Sequence, residues 1–130
     1  MFRTWITLVS LLGAIGVALA AWSTHGLASF IPAEQLPLAA ERARAASLHH
    51  MLHTLALFGI ALWARQAPSR WLNLAGLLFV TGIVCFSGGI YTLRIFAGIH
   101  SGPLINIVPF GGFCLIFGWL ALGVAGWKSR

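Results

Sequence analysis

Four long stretches of this chain, at 5–24, 45–63, 71–93 and 104–127, are almost unbroken apolar sequence. A helix that crosses the ~30 Å hydrocarbon core of a bilayer needs about 20 such residues. Inside that core every backbone polar group must find a partner within the protein, which leaves helices and closed barrels. Barrel strands need short segments of alternating hydrophobicity, and these runs do not alternate. Only 8% of the residues are charged, against about 25% in soluble domains, so an ordinary soluble globule is excluded. The sequence therefore predicts an all-α membrane protein, a compact four-helix transmembrane bundle forming a single domain over 1–130. Trp5, Trp22, Trp63, Trp71 and Trp127 fall at the ends of the runs, where amphipathic rings sit at headgroup level. Trp119 is the interior exception.

The formal charge of +6 comes from eight Lys and Arg against two Glu. These charges are scattered and form no nucleic-acid footprint, so no nucleic-acid partner is expected. They sort instead by membrane side. Arg3, Arg65, Arg70, Lys128 and Arg130 flank one side with no acid; Arg42, Arg44 and Arg94 share the other with Glu34 and Glu41. The positive-inside rule then places both termini in the cytoplasm. The first run also carries Arg3 and an Ala18-Leu19-Ala20 triplet, as a cleavable signal peptide does. Its apolar character continues to Trp22, and we read it as a retained span. Cys85 and Cys114 lie deep in apolar runs without CxxC spacing and read as small buried hydrophobes.

Small residues recur at four-residue spacing in the first span: Ala14 and Ala18 in one row, Gly16 and Ala20 in another. Gly88-Gly89 and Gly111-Gly112 form glycine pairs in the third and fourth spans. Such rows let helix backbones approach closely in lipid, where packing drives association. Pro109 interrupts the fourth run and is expected to kink it. Residues 36–42 of the long first loop are expected to form a short interfacial helix or the start of the second span. Asn73 is the main polar residue on the inner half.

The histidines fall together in the four-span arrangement. His25, His49, His50, His53 and His100, with Glu34, Glu41, Tyr91 and Arg94, all map to the outer side or outer leaflet. His25, His49, His53, Arg94, His100, Glu41 and Tyr91 are thus a candidate polar cluster. His49 and His53 are one helical turn apart and share a face; His50 is rotated by about 100° from it. An i, i+4 histidine pair can ligate zinc, and one histidine can ligate haem. The segment reads HHMLH without the glutamate of a zinc protease, so that chemistry is rejected. Histidines can equally hydrogen-bond across helices. Arg94 can snorkel to the rim or pair with Glu41 or Glu34.

Four motifs occur in order along the chain: a small-residue stretch from Gly16 to Ala21 followed by His25 after Trp22-Ser23-Thr24; His53-Thr54-Leu55-Ala56; Phe86-Ser87-Gly88-Gly89-Ile90-Tyr91; and Val108-Pro109-Phe110-Gly111-Gly112 with Gly118-Trp119 downstream. In these the chain resembles domain-of-unknown-function family 423, the YgdD-like small four-span integral membrane proteins, over nearly all its length. It departs at Trp22, Ser23 and Thr24, where members read closer to GAFGAH, and at His49, where members often have Tyr. The resemblance implies an integral, multi-pass protein of the bacterial inner (plasma) membrane, with relatives in eukaryotes. It supplies no activity. It carries over His25 and His53 as a candidate pair, expected to lie close together if spans one and two pack tightly.

No serine or cysteine has a placed general base, and no carboxylate pair exists for acid–base work. An enzyme is therefore the less favoured class. The leading expectation is a structural or accessory membrane protein. The alternatives are a small oligomeric transporter or channel, and outer-side binding of a metal, haem or quinone through the histidines. The sequence names no cofactor. The expected partners are the lipid bilayer and either further copies of the chain or another membrane protein.

Overall fold

The computed structural model describes residues 1–129; Arg130, assigned above to the basic flank, lies outside the described residues. Four helices are long and apolar enough to cross a membrane: Phe2–His25, Leu36–Gln66, Arg70–Phe96 and Pro103–Lys128. We call their α-helical parts α1 (Phe2–His25), α2 (Leu36–Gln66), α3 (Arg70–Gly82) and α4 (Ile107–Lys128). The span beginning with α3 continues as π-helix through Ile83–Gly88 and Ile90–Phe96.

Local sequence sets the ends. The segment from Leu36 is the start of α2, not a separate interfacial helix. Pro37 falls in its first turn, where the missing N–H costs no bond. Pro68 drives the residue before it out of the helical region, and Ala67 closes α2 at φ −140°, ψ 80°. Ser69 then caps α3, its hydroxyl accepting from the Trp71 N–H at 3.2 Å. The loop around His100 turns at Gly98 and Gly102, with φ of 61° and 99°, a backbone region glycine enters freely.

Pro109 does not kink a running helix. It lies in the first turn of α4, and the irregular turn precedes it as a 3₁₀ segment, Pro103–Asn106. The larger irregularity is the π-helical half of the third span. It begins where the backbone of α4 at Gly111 presses on the backbone of Cys85 and Phe86.

Neighbouring helices in sequence run antiparallel. Arg65 at the end of α2 lies 5.5 Å over the Phe2 ring at the start of α1. Lys128 at the end of α4 lies 5.1 Å over the Trp71 ring at the start of α3. The main core gathers Trp5, Leu57, Ile60, Leu72, Phe79 and Leu115 from all four helices. A second core joins Leu27, Ala43, Ala46, Tyr91 and Ile95 at the opposite end.

Small residues meet unevenly. Gly16 is buried against His50 and Met51, and Gly89 against Val108. Ala14 and Ala18 stand exposed on α1, so that row packs on no helix among the described residues, while Ala20 borders a cleft between α1 and α2. A Cβ at Gly88 would find its nearest neighbour at 3.9 Å, and one at Gly112 would meet the Phe86 ring at 3.6 Å. Neither of these two is a point of forced contact.

Candidate functional site

Among the described residues, polar side chains within the spans form four hydrogen bonds between helices, each joining a different pair. The Trp5 indole N–H donates to Asn73 Oδ1 at 3.1 Å, tying α1 to α3. His50 Nε2 donates to the Leu12 carbonyl at 2.9 Å, tying α1 to α2. The Ser87 hydroxyl donates to the Ala46 carbonyl at 2.8 Å, tying the π segment to α2. The Trp119 indole N–H donates to His53 Nε2 at 3.1 Å, tying α4 to α2. A polar group left without a partner in hydrocarbon costs several kcal/mol. These bonds remove that cost at four places.

The partners fix the histidine protonation. An indole nitrogen can only donate, so His53 Nε2 must carry its lone pair. Its Nδ1 then holds the proton and donates to the His49 carbonyl at 2.7 Å. Both nitrogens of His53 are occupied, and a metal could take neither without breaking a hydrogen bond, Nδ1 within α2 or Nε2 to α4. Among the described residues no three His, Cys, Asp or Glu side chains come together as a ligand set.

His49 and His53 do share a face, with rings stacked at 5.8 Å and 21°. The Phe86 ring stands edge-on to His49 at 5.1 Å. Phe79 and Trp119 close around His53 at 5.3 and 6.0 Å. This cluster borders an open groove of about 660 Å³ between α2 and α4, floored by Phe86, Gly112 and Leu115. His50 points the other way, toward α1, as its rotation on the helix requires. His49 Nδ1 is buried and has no hydrogen-bond partner.

The remaining candidates are dispersed. His25 is exposed on the last turn of α1. Leu12, where His50 docks, is 13 positions from it, roughly 20 Å of helix. The α2 histidine that meets α1 is thus His50, and His53 faces α4. At the rim, Arg42 donates to His100 Nδ1 at 3.2 Å. Glu34 and Glu41 are exposed and Arg94 is half-buried. Tyr91 is buried, with Ser47 of α2 beside its hydroxyl. The sequence did not point to Trp119 and Asn73 as partners, although each stood out as the exception to an otherwise regular pattern.

The bond across α2 and α4 has a measurable consequence. In a double-mutant cycle of His53→Leu and Trp119→Phe, unfolding in mixed micelles should give a coupling of about 0.6–1.7 kcal/mol, the range for hydrogen bonds between membrane helices. Strict additivity would mean the bond is not formed.

The profile of the family described as "Protein of unknown function (DUF423)" matches residues 19–112. A UPF0382 membrane protein of Haemophilus influenzae is 32% identical over 130 residues, covering 100% of this chain and 98% of its own length. The UPF0382 membrane protein YwdK of Bacillus subtilis is 32% identical, covering 97% of this chain and 98% of its own length. The UPF0382 inner membrane protein YgdD of Escherichia coli is 26% identical, with 90% and 84% covered. No solved structure matches the chain.

Proposed function

The chain belongs to the DUF423 family of integral, multi-pass membrane proteins, and on that premise we propose that it acts as a structural or accessory protein of the membrane. The observation that carries this reading is the use of polar groups within the spans. Trp5, His50, His53, Ser87 and Trp119 are each engaged in joining two helices. Residues so engaged hold a shape; they are not free to relay protons or to bind a substrate.

In this reading the chain is a single transmembrane domain with spans near 5–24, 45–63, 71–93 and 104–127 and both termini cytoplasmic. Its location is the bacterial inner membrane, in keeping with the printed name of the Escherichia coli relative. The pairing of Arg65 with Phe2 and of Lys128 with Trp71 supports a common basic end. Cysteines placed at Ala67 and Ser129 should react with an impermeant thiol reagent only from the cytoplasmic side, and those at Ser29 and Ser101 only from the other. Labelling of all four from one side would overturn the arrangement.

The role is tested by gentle release from the native membrane and by reconstitution. The chain should leave the membrane in a complex of discrete mass above its own 14.0 kDa. In liposomes it should carry no proton, potassium or chloride flux above that of protein-free vesicles. Proton flux that His53→Leu abolishes would overturn the structural role.

A further inference from the structure

We propose that the groove between α2 and α4 binds an uncharged, ring-bearing lipid of the quinone class, with a ring carbonyl accepting a hydrogen bond from His49 Nε2. The groove holds about 660 Å³, within the ~300–1,000 Å³ of small-molecule sites. Its upper wall is aromatic: the stacked imidazoles of His49 and His53, the edge-on Phe86 ring and the Trp119 indole. Its remaining walls are aliphatic, with Leu52, Leu55 and Ile116 open to the lipid side. A flat ring suits the first surface and a branched apolar tail the second.

His49 selects the ligand's chemistry. A neutral imidazole carries one proton. On the buried Nδ1, which has no partner, that proton would make an orphaned N–H donor. On Nε2 it leaves only a bare lone pair at Nδ1 and offers a donor to the groove. The site therefore asks for an acceptor. His53, beside it, is already satisfied at both nitrogens and competes for nothing.

Shape and charge narrow the ligand. His49 lies four positions inside the 45–63 span, roughly 6 Å along the helix from its end. An acyl chain offers no acceptor, and the ester carbonyls of a phospholipid sit on no planar ring that could lie against the aromatic wall. An ionised ligand would pay for desolvation in the groove. A quinone is neutral, enters the hydrocarbon core, and brings carbonyl oxygens on a planar ring. The π-helical segment that carries Phe86 to His49 is a second pointer, because π turns occur frequently at functional sites. This inference does not depend on the structural role proposed above, since a scaffold can hold such a lipid without turning it over.

The test is a titration of decylubiquinone into the full chain in phosphatidylcholine nanodiscs, read by tryptophan fluorescence. Trp119 lines the groove, so quenching should saturate at one quinone per chain, and Trp119→Phe should remove most of the saturable part. His49→Leu should weaken binding by roughly threefold to tenfold, the loss of one neutral hydrogen bond. It should change the melting temperature little, because neither nitrogen it removes makes a hydrogen bond within the protein and leucine keeps an apolar side chain of similar size beside His53 and Phe86. Ile116→Trp, which fills the groove from the lipid side without entering the core, should block binding. The proposal is overturned if quenching is absent or never saturates, if decane competes as well as the quinone, or if both variants bind like the parent.

Discussion

Replacing Gly111 with leucine is expected to leave no folded protein after detergent extraction, and Gly111→Ala to cost about 3 kcal/mol, the upper end for overpacking. The reason is the kind of atom that a side chain would meet. A Cβ at position 111 would fall onto the backbone nitrogen of Phe86 and within 2.8 Å of the Cys85 carbonyl carbon. A flexible side-chain tip can swing away; the backbone of a buried helix cannot. Gly82 faces Leu115 and the Gly111 carbonyl, Gly89 faces Val108, and Gly118 lies on the Phe79 ring. Together these contacts line the middle of the seam, from Phe79 to Gly89 on the third span and from Val108 to Gly118 on the fourth. In lipid, with little hydrophobic drive between helices, such close packing is a main source of association. Gly88→Ala is the control. Its nearest new neighbour, the Ile83 carbonyl oxygen, would be 3.9 Å away, and its effect should stay within about 0.5 kcal/mol. Equal folded fractions for Gly111→Ala and the parent in a thermal melt would show that the two backbones are not so close.

The glycine comparison also marks how far the sequence could be read. Run length and composition are one-dimensional properties, and four spans follow from them directly. Glycine pairs indicate that close packing is available, but not which member of a pair faces the neighbour. In Gly88-Gly89 and Gly111-Gly112 one member of each is pressed and the other has room, because successive helical residues point about 100° apart. The Ala14 and Ala18 row shows the same gap: its spacing is right for packing, yet it looks away from α2. The π-helix of the third span is not legible in one dimension, since what its backbone meets, α4 at Gly111, is supplied only by the fold. Pairings across the bundle were beyond reach for the same reason. Trp5 read as an interfacial ring, yet it is 5% exposed and bonded to Asn73. Trp119 and Asn73 broke the pattern of the aromatic ends and the apolar inner half, and both proved to be hydrogen-bonded across helices. A polar or aromatic residue that breaks the pattern of a membrane span was, at these two positions, the visible half of a pair whose other half only the fold supplies.

Ser87 separates size from polarity in the same seam. Its side chain is 0% exposed, and its hydroxyl reaches the carbonyl of Ala46, itself 0% exposed. Ser87→Leu should therefore be nearly as damaging as a change at Gly111, costing about 3 kcal/mol or more by overpacking. Ser87→Ala keeps nearly the same volume and loses one bond between helices, which averages about 0.6 kcal/mol and reaches about 1.7 in membrane proteins. The Ala46 carbonyl would not be orphaned, because it stays within the hydrogen-bonded run of α2. The two variants thus predict different melting curves: a small shift for alanine and loss of the cooperative transition for leucine. If alanine proved as harmful as leucine, the oxygen would have to matter for more than packing. The natural place to look would then be the π turn, where Ser87 neighbours Phe86 and Phe86 meets His49. A shift in that turn would move the floor of the groove, and decylubiquinone binding to Ser87→Ala would fall along with its stability.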